Sequence, residues 1–297
     1  MRISAYLAAL LPVLAAQMAF ADVTSDTFAT DPIAGARAAV VGSASRFTYS
    51  AGAHTITATY DSTLPTAKLV FPLTSPITQD RSFTYSTAFT INSIANFNQP
   101  ESTNPGGTMQ LSFGLFNSVT TGNDRAGGDA YDLAMVDYFP SHSFFGLPSI
   151  GASVVKSSQA PFDYFDKIDF EFGAASTLPT FLNTGVPIGA TVSYDALTHI
   201  ITANFSASQL TLDSGSPNTF TYTHHLDLTG QTFNFDSFGL ALWNDTDSIN
   251  FGFDAPVSAE IAFQGFTVTA AAPIPEPGSL ALLAVGGICW MRRRRPV

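Results

Sequence analysis

The chain has 297 residues, of which 45% are hydrophobic and 12% charged, so it is long enough to bury a large core. Its formal net charge of −11 argues against binding to nucleic acid or to anionic membrane surfaces. A single cysteine, Cys289, excludes an internal disulfide, so hydrophobic packing must hold the fold.

The first 21 residues have the organisation of a secretory signal peptide. Arg2 supplies a positive charge, residues 5–16 are apolar, and Ala19-Phe20-Ala21 forms an A-x-A cleavage site. We therefore expect an N-terminal signal helix that is handled by the Sec translocon and by signal peptidase. The mature chain would begin at Asp22.

The middle of the chain is predicted to be one all-β domain, residues 22–270. Short segments alternate apolar residues with Thr, Ser or other polar residues, and Gly, Pro, Asn and Asp separate them. About a dozen strands without intervening helices favour an antiparallel β-sandwich. The predicted strands are residues 53–61, 82–91, 109–116, 130–139, 167–173, 219–228, 238–244 and 259–270, with a hairpin over 190–207 that turns near 195–198.

A Gly-rich loop, GNDRAGGDAYD at residues 122–132, concentrates side chains that carry oxygen. Ca²⁺ prefers such ligands on flexible loops, so Asn123, Asp124, Asp129 and Asp132 form a candidate Ca²⁺ site. Their spacing differs from that of an EF-hand loop. The alternative is that the Asp and Asn residues only shape turns.

The segment KIDFEFG, Lys167 to Gly173, places Asp169 and Glu171 on one face of a predicted strand. It resembles the active-site strand of laminarinases and xyloglucan-modifying glycoside hydrolases, which have a concanavalin-like jelly roll. In their Glu-x-Asp-x-Glu motif the first Glu is the nucleophile, and Lys167 occupies that position here. Because a retaining glycosidase needs two carboxyl groups about 5–5.5 Å apart, the resemblance supports the fold and argues against catalysis. The segment is then a solvent-exposed strand face, a ligand-contacting face, or part of a hydrolase or lyase site that includes Asp137.

A second polar loop, WNDTDS, runs from Trp243 to Ser248. An aromatic ring beside Asn and Asp is typical of sugar-binding sites, so Trp243, Asn244 and Asp245 are candidate ligand-binding residues together with Asp169 and Glu171. The alternative, which the preceding apolar residues favour, is that Trp243 belongs to the core. The five histidines show no metal-binding spacing, and His224 and His225 would face opposite sides of their strand.

The C-terminus, residues 273–297, combines a Pro-rich segment, an apolar run over residues 278–291 and a basic end. The apolar run predicts a short transmembrane helix whose Arg-rich end is cytoplasmic. This tail resembles the PEP-CTERM sorting signal of Gram-negative bacteria, which implies recognition by an exosortase-like membrane enzyme, removal of the tail and delivery to the cell surface or matrix. A plain tail anchor is the alternative. The residues that carry the resemblance are Pro275, Glu276, Pro277, Ser279, Arg292, Arg293, Arg294 and Arg295.

Three parts are therefore predicted: a signal peptide (1–21), a concanavalin-like jelly-roll sandwich (22–270), and a sorting signal with a transmembrane helix (271–297). The expected role is non-catalytic, either structural or glycan-binding in an exopolysaccharide matrix. The alternative is a jelly-roll glycoside hydrolase or lyase. Ca²⁺ is the cofactor considered, and the expected partners are the exosortase, the secretion machinery and exopolysaccharide, with no nucleic acid.

Overall fold

The computed structural model describes residues 21–95, 111–123, 133–139, 149–155, 180–182, 184–212, 217–244 and 256–274. Apart from one 3-10 turn at Ala44–Arg46, the regular structure of these residues is β-strand. The strands are β1 (Asp22–Asp26), β2 (Ala39–Val41), β3 (Phe47–Ser50), β4 (Thr55–Asp61), β5 (Ala67–Thr78), β6 (Phe83–Ala95), β7 (Leu111–Phe116), β8 (Leu133–Phe139), β9 (Ser149–Val155), β10 (Thr180–Leu182), β11 (Pro187–Asp195), β12 (Ile200–Leu212), β13 (Pro217–Asp227), β14 (Asn234–Leu242) and β15 (Ser258–Ala270).

The strands form two antiparallel sheets. The nine-stranded sheet has the order β10-β12-β11-β6-β15-β4-β3, with β1 added beside β15 and β13 beside β12. The six-stranded sheet has the order β2-β5-β14-β7-β8-β9. Neighbours such as β6 and β15 are far apart in sequence, so each sheet is assembled from distant parts of the chain.

Side-chain alternation explains why these segments form strands with one buried face. In β4, Ile56, Ala58 and Tyr60 are fully buried, whereas the threonines between them lie on the opposite face. This period of two is the signature of a strand whose one side packs against a core.

Phenylalanine side chains fill the space between the two sheets. Phe238 of β14 stacks on Phe266 of β15 with ring centroids 4.1 Å apart, and Phe89 of β6 meets Phe113 of β7 at 5.1 Å. Each pair joins one sheet to the other. Full burial of a Phe side chain stabilises a fold by about 1.5–3 kcal/mol, so these rings hold the sandwich together without a disulfide.

Gly265 marks the point where β15 changes partner along one edge. Up to Phe263 this edge pairs with β4, and from Phe266 onward it pairs with β1. Gly265 has a φ of +104°, and a Cβ at this position would lie 2.6 Å from the carbonyl oxygen of Asp26. Only glycine accommodates both the backbone conformation and the close approach of β1.

The all-β antiparallel sandwich predicted from the sequence is confirmed, and the hairpin over residues 190–207 is formed by β11 and β12. The long strand β5 was not among the predicted strands, because Pro72 and Pro76 break its pattern. Its ladder with β14 runs from Ala67 to Pro72 and resumes at Ile77, so Pro76 lies in the gap between the two paired stretches. The predicted strand at 167–173 and both predicted terminal helices lie outside the described residues.

Candidate functional site

The two polar loops predicted as candidate sites begin side by side at one end of the six-stranded sheet. Thr66 donates a hydrogen bond from Oγ1 to the carbonyl oxygen of Asn123 (2.6 Å) and accepts one from the backbone N–H of Asn244 (3.1 Å). Asn123 is exposed and Asn244 is half-buried. We call this end the loop pole, defined by Thr66, Lys68, Asn123, Trp243 and Asn244.

A buried lysine fixes the first of these loops. Lys68 is 4% exposed, and its Nζ donates to the carbonyl oxygens of Thr121 (2.8 Å) and Gly122 (2.6 Å). The ammonium also lies 5.6 Å from the centroid of the Trp243 ring, within cation–π range. Because a buried cation is costly unless acceptors surround it, these contacts hold residues 121–122 against β5.

The second loop leaves the sheet directly after a buried tryptophan. Trp243 has 0% exposure, and its indole N–H donates to Oγ of Ser112 on β7 (2.7 Å). A ring in this position has no face open to a sugar, so the stacking hypothesis for Trp243 gives way to the core alternative. The physical reason is that β14 continues its outward row through Ala241 to Trp243, which packs with Phe116 and Met135 on the outer side of the sheet.

The remaining loop residues of the candidate Ca²⁺ and ligand sites, Asp124, Asp129, Asp132 and Asp245, lie outside the described residues. Across the described ranges, no three His, Cys, Asp or Glu side chains come together in a group suited to a metal ion. The structure thus brings Asn123 and Asn244 to one place, which leaves the Ca²⁺ site a hypothesis about the loops that follow them.

The carboxylates of the glycosidase-like motif lie outside the described part of the chain. Lys167, Asp169 and Glu171 lie outside it, and Asp137 is placed on β8 opposite Gly151 of β9 by its backbone register. The hydrolase alternative, which needs two carboxyl groups at a set separation, therefore stays a prediction.

The addressing segments also lie mostly outside the described residues. These include Ala19 of the predicted cleavage site, Pro275, Glu276, Pro277 and Ser279 of the tail, and Arg292 to Arg295. Ala21 is described and exposed, directly before β1. Among the residues that the structure describes, no helix has the length and apolar character needed to cross a membrane.

A second candidate surface is an open cleft of about 540 Å³ on the outer face of the nine-stranded sheet. Its floor is built from residues that lie opposite one another on adjacent strands and point away from the core. The residues next to them in sequence, such as Phe83 and Tyr194, are buried in the core. One row of the floor contains Thr269, Thr84, Ser193, Thr202 and His225. The next row on the same sheet face, beside the cleft, contains Thr267, Ser86, Thr191 and Asn204. We call these two rows the hydroxyl face.

One wall of the cleft is the β11–β12 turn, which is held firmly. The Tyr194 hydroxyl donates to the carbonyl oxygen of Gln79 (2.9 Å) and lies 3.1 Å from Nδ1 of His199. Burial raises the pKa of Tyr194 to about 12, so its hydroxyl stays protonated at neutral pH. The backbone N–H of Ala196 donates to Oγ of Ser82 (3.0 Å), which ties the turn to β6.

The hydroxyl face offers hydrogen-bonding groups with almost no net charge. Thr and Ser hydroxyls both donate and accept, and Oγ1 of Thr202 lies 3.0 Å from Nδ1 of His225. Asp195 is the one carboxylate among the described residues that line the cleft. Such a surface suits a neutral ligand that is itself rich in hydroxyl groups.

The sequence contained the polar half of this surface but not its arrangement. Each strand alternates correctly, so exposed Thr and Ser faces were expected. The residues that meet come from β6, β11, β12, β13 and β15, and their register depends on pairings between distant segments. The signal available in the sequence was that several predicted strands carry Thr or Ser at alternate positions, which can form a continuous polar row once the strands pair.

Comparison with known proteins identifies the tail and the fold. A family model described as the PEP-CTERM protein-sorting motif matches residues 273–295. Peanut lectin is similar in structure with a TM-score of 0.50 at 13% identity, covering 86% of this chain and 100% of the lectin. The winged bean acidic lectin, solved with methyl-α-D-galactose, has a TM-score of 0.50 at 15% identity, covering 84% of this chain and 100% of the lectin. No curated protein matches the sequence. The chain is thus a β-sandwich with a legume-lectin-like fold, and it carries a PEP-CTERM motif, which implies export and processing by an exosortase.

Proposed function

We propose that the mature protein is a non-catalytic glycan-binding component of the cell surface or exopolysaccharide matrix of a Gram-negative bacterium. The proposed maturation removes residues 1–21 by signal peptidase after Sec-dependent export and the sorting tail by an exosortase-like enzyme. The matched sorting motif supports the processing step. The domain that remains is the sandwich of residues 22–270.

The observation that carries the glycan-binding proposal is the hydroxyl face. It is an extended, open and nearly neutral surface on which Thr84, Ser193 and Thr202 stand side by side across three strands. An open cleft suits an extended polymer chain better than a small ligand, because small-ligand sites are usually pockets that bury most of the ligand surface. The legume-lectin-like fold gives a scaffold on which saccharide binding is known, as in the galactoside complex of the winged bean lectin.

The preferred ligand is a neutral polysaccharide. The chain has a formal net charge of −11, which opposes anionic polymers at long range. Hydroxyl-to-hydroxyl hydrogen bonds contribute about 0.5–1.5 kcal/mol each, so a single sugar binds weakly. A polymer with many repeats offsets this weakness through multiple contacts, as expected in a matrix.

Affinity electrophoresis of residues 22–272 through gels that contain neutral or anionic polysaccharides tests the proposal. Neutral polysaccharide should retard the wild-type protein, and retardation should change little between 20 and 200 mM salt because no ion pair is involved. The double variant Ser193→Ala with Thr202→Val should lower the affinity by about tenfold, since two hydrogen-bonding hydroxyls are lost.

Thr57→Val is the matched control, because Thr57 lies on the same outer face at the far side of the sheet beside Thr48. Asn244→Ala tests the loop pole, and EDTA tests a contribution from Ca²⁺. Absence of retardation in every neutral polysaccharide would refute glycan binding. Loss of binding in Asn244→Ala but not in the double variant would move the site to the loop pole.

A further inference from the structure

The two ends of the sandwich lie next to each other. Strand β1 begins at Asp22, the first residue of the expected mature chain, and Asp22 pairs across the ladder with Ala270, the last residue of β15. Directly opposite residues on antiparallel strands have Cα atoms about 4.5–5.5 Å apart. The signal peptide and the sorting tail therefore join the domain side by side, at the end of the nine-stranded sheet where Asp22 and Ala270 lie.

A single arginine holds both ends. Arg81 is 5% exposed, and its Nη2 donates to the carboxylate of Asp22 (2.6 Å) while its Nε donates to the carbonyl oxygen of Ala271 (2.8 Å). The remaining Nη1 donates to Oγ of Ser75 (2.6 Å) and to the carbonyl oxygen of Pro76 (2.7 Å). We call this arrangement the Arg81 clamp. The Ser75 hydroxyl also donates to the Asp22 carboxylate.

The chain stays attached to the domain beyond the clamp. The backbone N–H of Ala271 donates to the carbonyl oxygen of Ser82 (2.8 Å), and that of Ile274 donates to the carbonyl oxygen of Asp80 (2.9 Å). The Ile274 side chain packs against the core. The matched sorting motif begins at Pro273, so its first two residues are already held by the folded domain.

We propose that Arg81 is a positioning residue for the removal of the sorting tail. By fixing Ala271, it holds the first residues of the motif, Pro273 and Ile274, against the end of the sandwich, so that the motif is presented to the membrane-bound processing enzyme from a fixed point on the domain. A flexible spacer in the same place would let the motif sample many positions, and positioning of this kind controls reaction rates strongly. This inference rests on the proposed processing step and is independent of glycan binding.

The test uses the full-length precursor produced together with an exosortase-type enzyme, and intact mass spectrometry follows loss of the tail over time. Arg81→Met should slow tail loss by about tenfold. Arg37→Met is the matched control, because Arg37 Nε pairs with Asp26 at the opposite end of β1 (2.8 Å), away from the tail. It should be processed at the wild-type rate.

A second variant separates positioning from stability. A five-residue Gly/Ser insertion between Ala272 and Pro273 leaves the Arg81 clamp intact but releases the motif, and it should slow tail loss as Arg81→Met does. Combining the two changes should add little further slowing, since both act through the position of the motif. This insertion also decides the question if Arg81→Met fails to fold.

Wild-type rates in the insertion variant, or in a folded Arg81→Met protein, would overturn the inference while leaving the processing step intact. Absence of tail loss from the wild-type precursor would overturn the processing step and this inference with it.

Discussion

Replacement of Gly265 by alanine tests how β15 serves two partner strands. A Cβ at this position would lie 2.6 Å from the carbonyl oxygen of Asp26 and 3.1 Å from Cα of Thr27. Both are backbone atoms, so no side-chain rotation relieves the clash. The φ of +104° adds a conformational cost that glycine does not have.

We expect Gly265→Ala to lower the free energy of unfolding by about 2–4 kcal/mol, from backbone strain and overpacking together. For a domain of this size, that corresponds to a decrease in Tm of about 5–15 °C. Urea denaturation and differential scanning calorimetry measure the two quantities. Hydrogen exchange should also rise first in β1, because its pairing with β15 starts beside this glycine.

Gly52→Ala is the matched control. Nothing lies within 4 Å of the position that its Cβ would take, and its φ is not in the left-handed region. Its stability should change by less than about 0.5 kcal/mol. A Gly265→Ala protein as stable as Gly52→Ala would refute the claim that only glycine fits where β15 changes partner.

Three further outcomes are expected. Lys68→Met should destabilise the domain by about 2–4 kcal/mol and increase hydrogen exchange in residues 117–123, because the carbonyl groups of Thr121 and Gly122 lose a charged donor; unchanged exchange there would contradict this role. Trp243→Phe should cost about 1–3 kcal/mol in urea denaturation, because Ser112 loses the indole N–H, and a neutral effect would argue against that bond. Hydrogen bonds from Ser75 and Arg81 lower the pKa of Asp22 below its ordinary value of 3.8. The contribution of the Asp22 carboxylate to folding stability is therefore present above pH 3.8 and is lost as the pH falls through the native pKa. The Tm difference between wild type and Asp22→Asn should therefore shrink as the pH falls from 3.8 through the lowered native pKa, and a pH-independent difference would contradict this.

The sequence predicted the fold because the apolar and polar residues alternate within single strands. Ile56, Ala58 and Tyr60 define the buried face of β4 without any knowledge of its neighbours. The strand β5 was not predicted, because its two prolines look like loop signals. The gap in its ladder that accommodates Pro76 forms only when β5 pairs with β14.

The candidate sites depended on information that a linear pattern does not contain. Trp243 stands between an apolar strand and a polar loop, so the sequence allowed both a core and a ligand-binding role. Its surroundings form only in the sheet, where the pairing of β7 with β14 brings Ser112 to the indole N–H. The Arg81 clamp was not predicted either, because its partners are distant in sequence. Asp22 is 59 positions from Arg81, and Ala271 is 190 positions from it.

The central claim is that a neutral glycan binds across the hydroxyl face. Its most direct test is an NMR titration of isotope-labelled residues 22–272 with oligosaccharides from a neutral polysaccharide that retards the protein in gels. We predict amide shift changes at Thr84, Ser193 and Thr202 and in neighbouring residues of β6, β11 and β12, with no change at the loop pole. Shift changes confined to the loop pole, or none at saturating oligosaccharide, would contradict the claim.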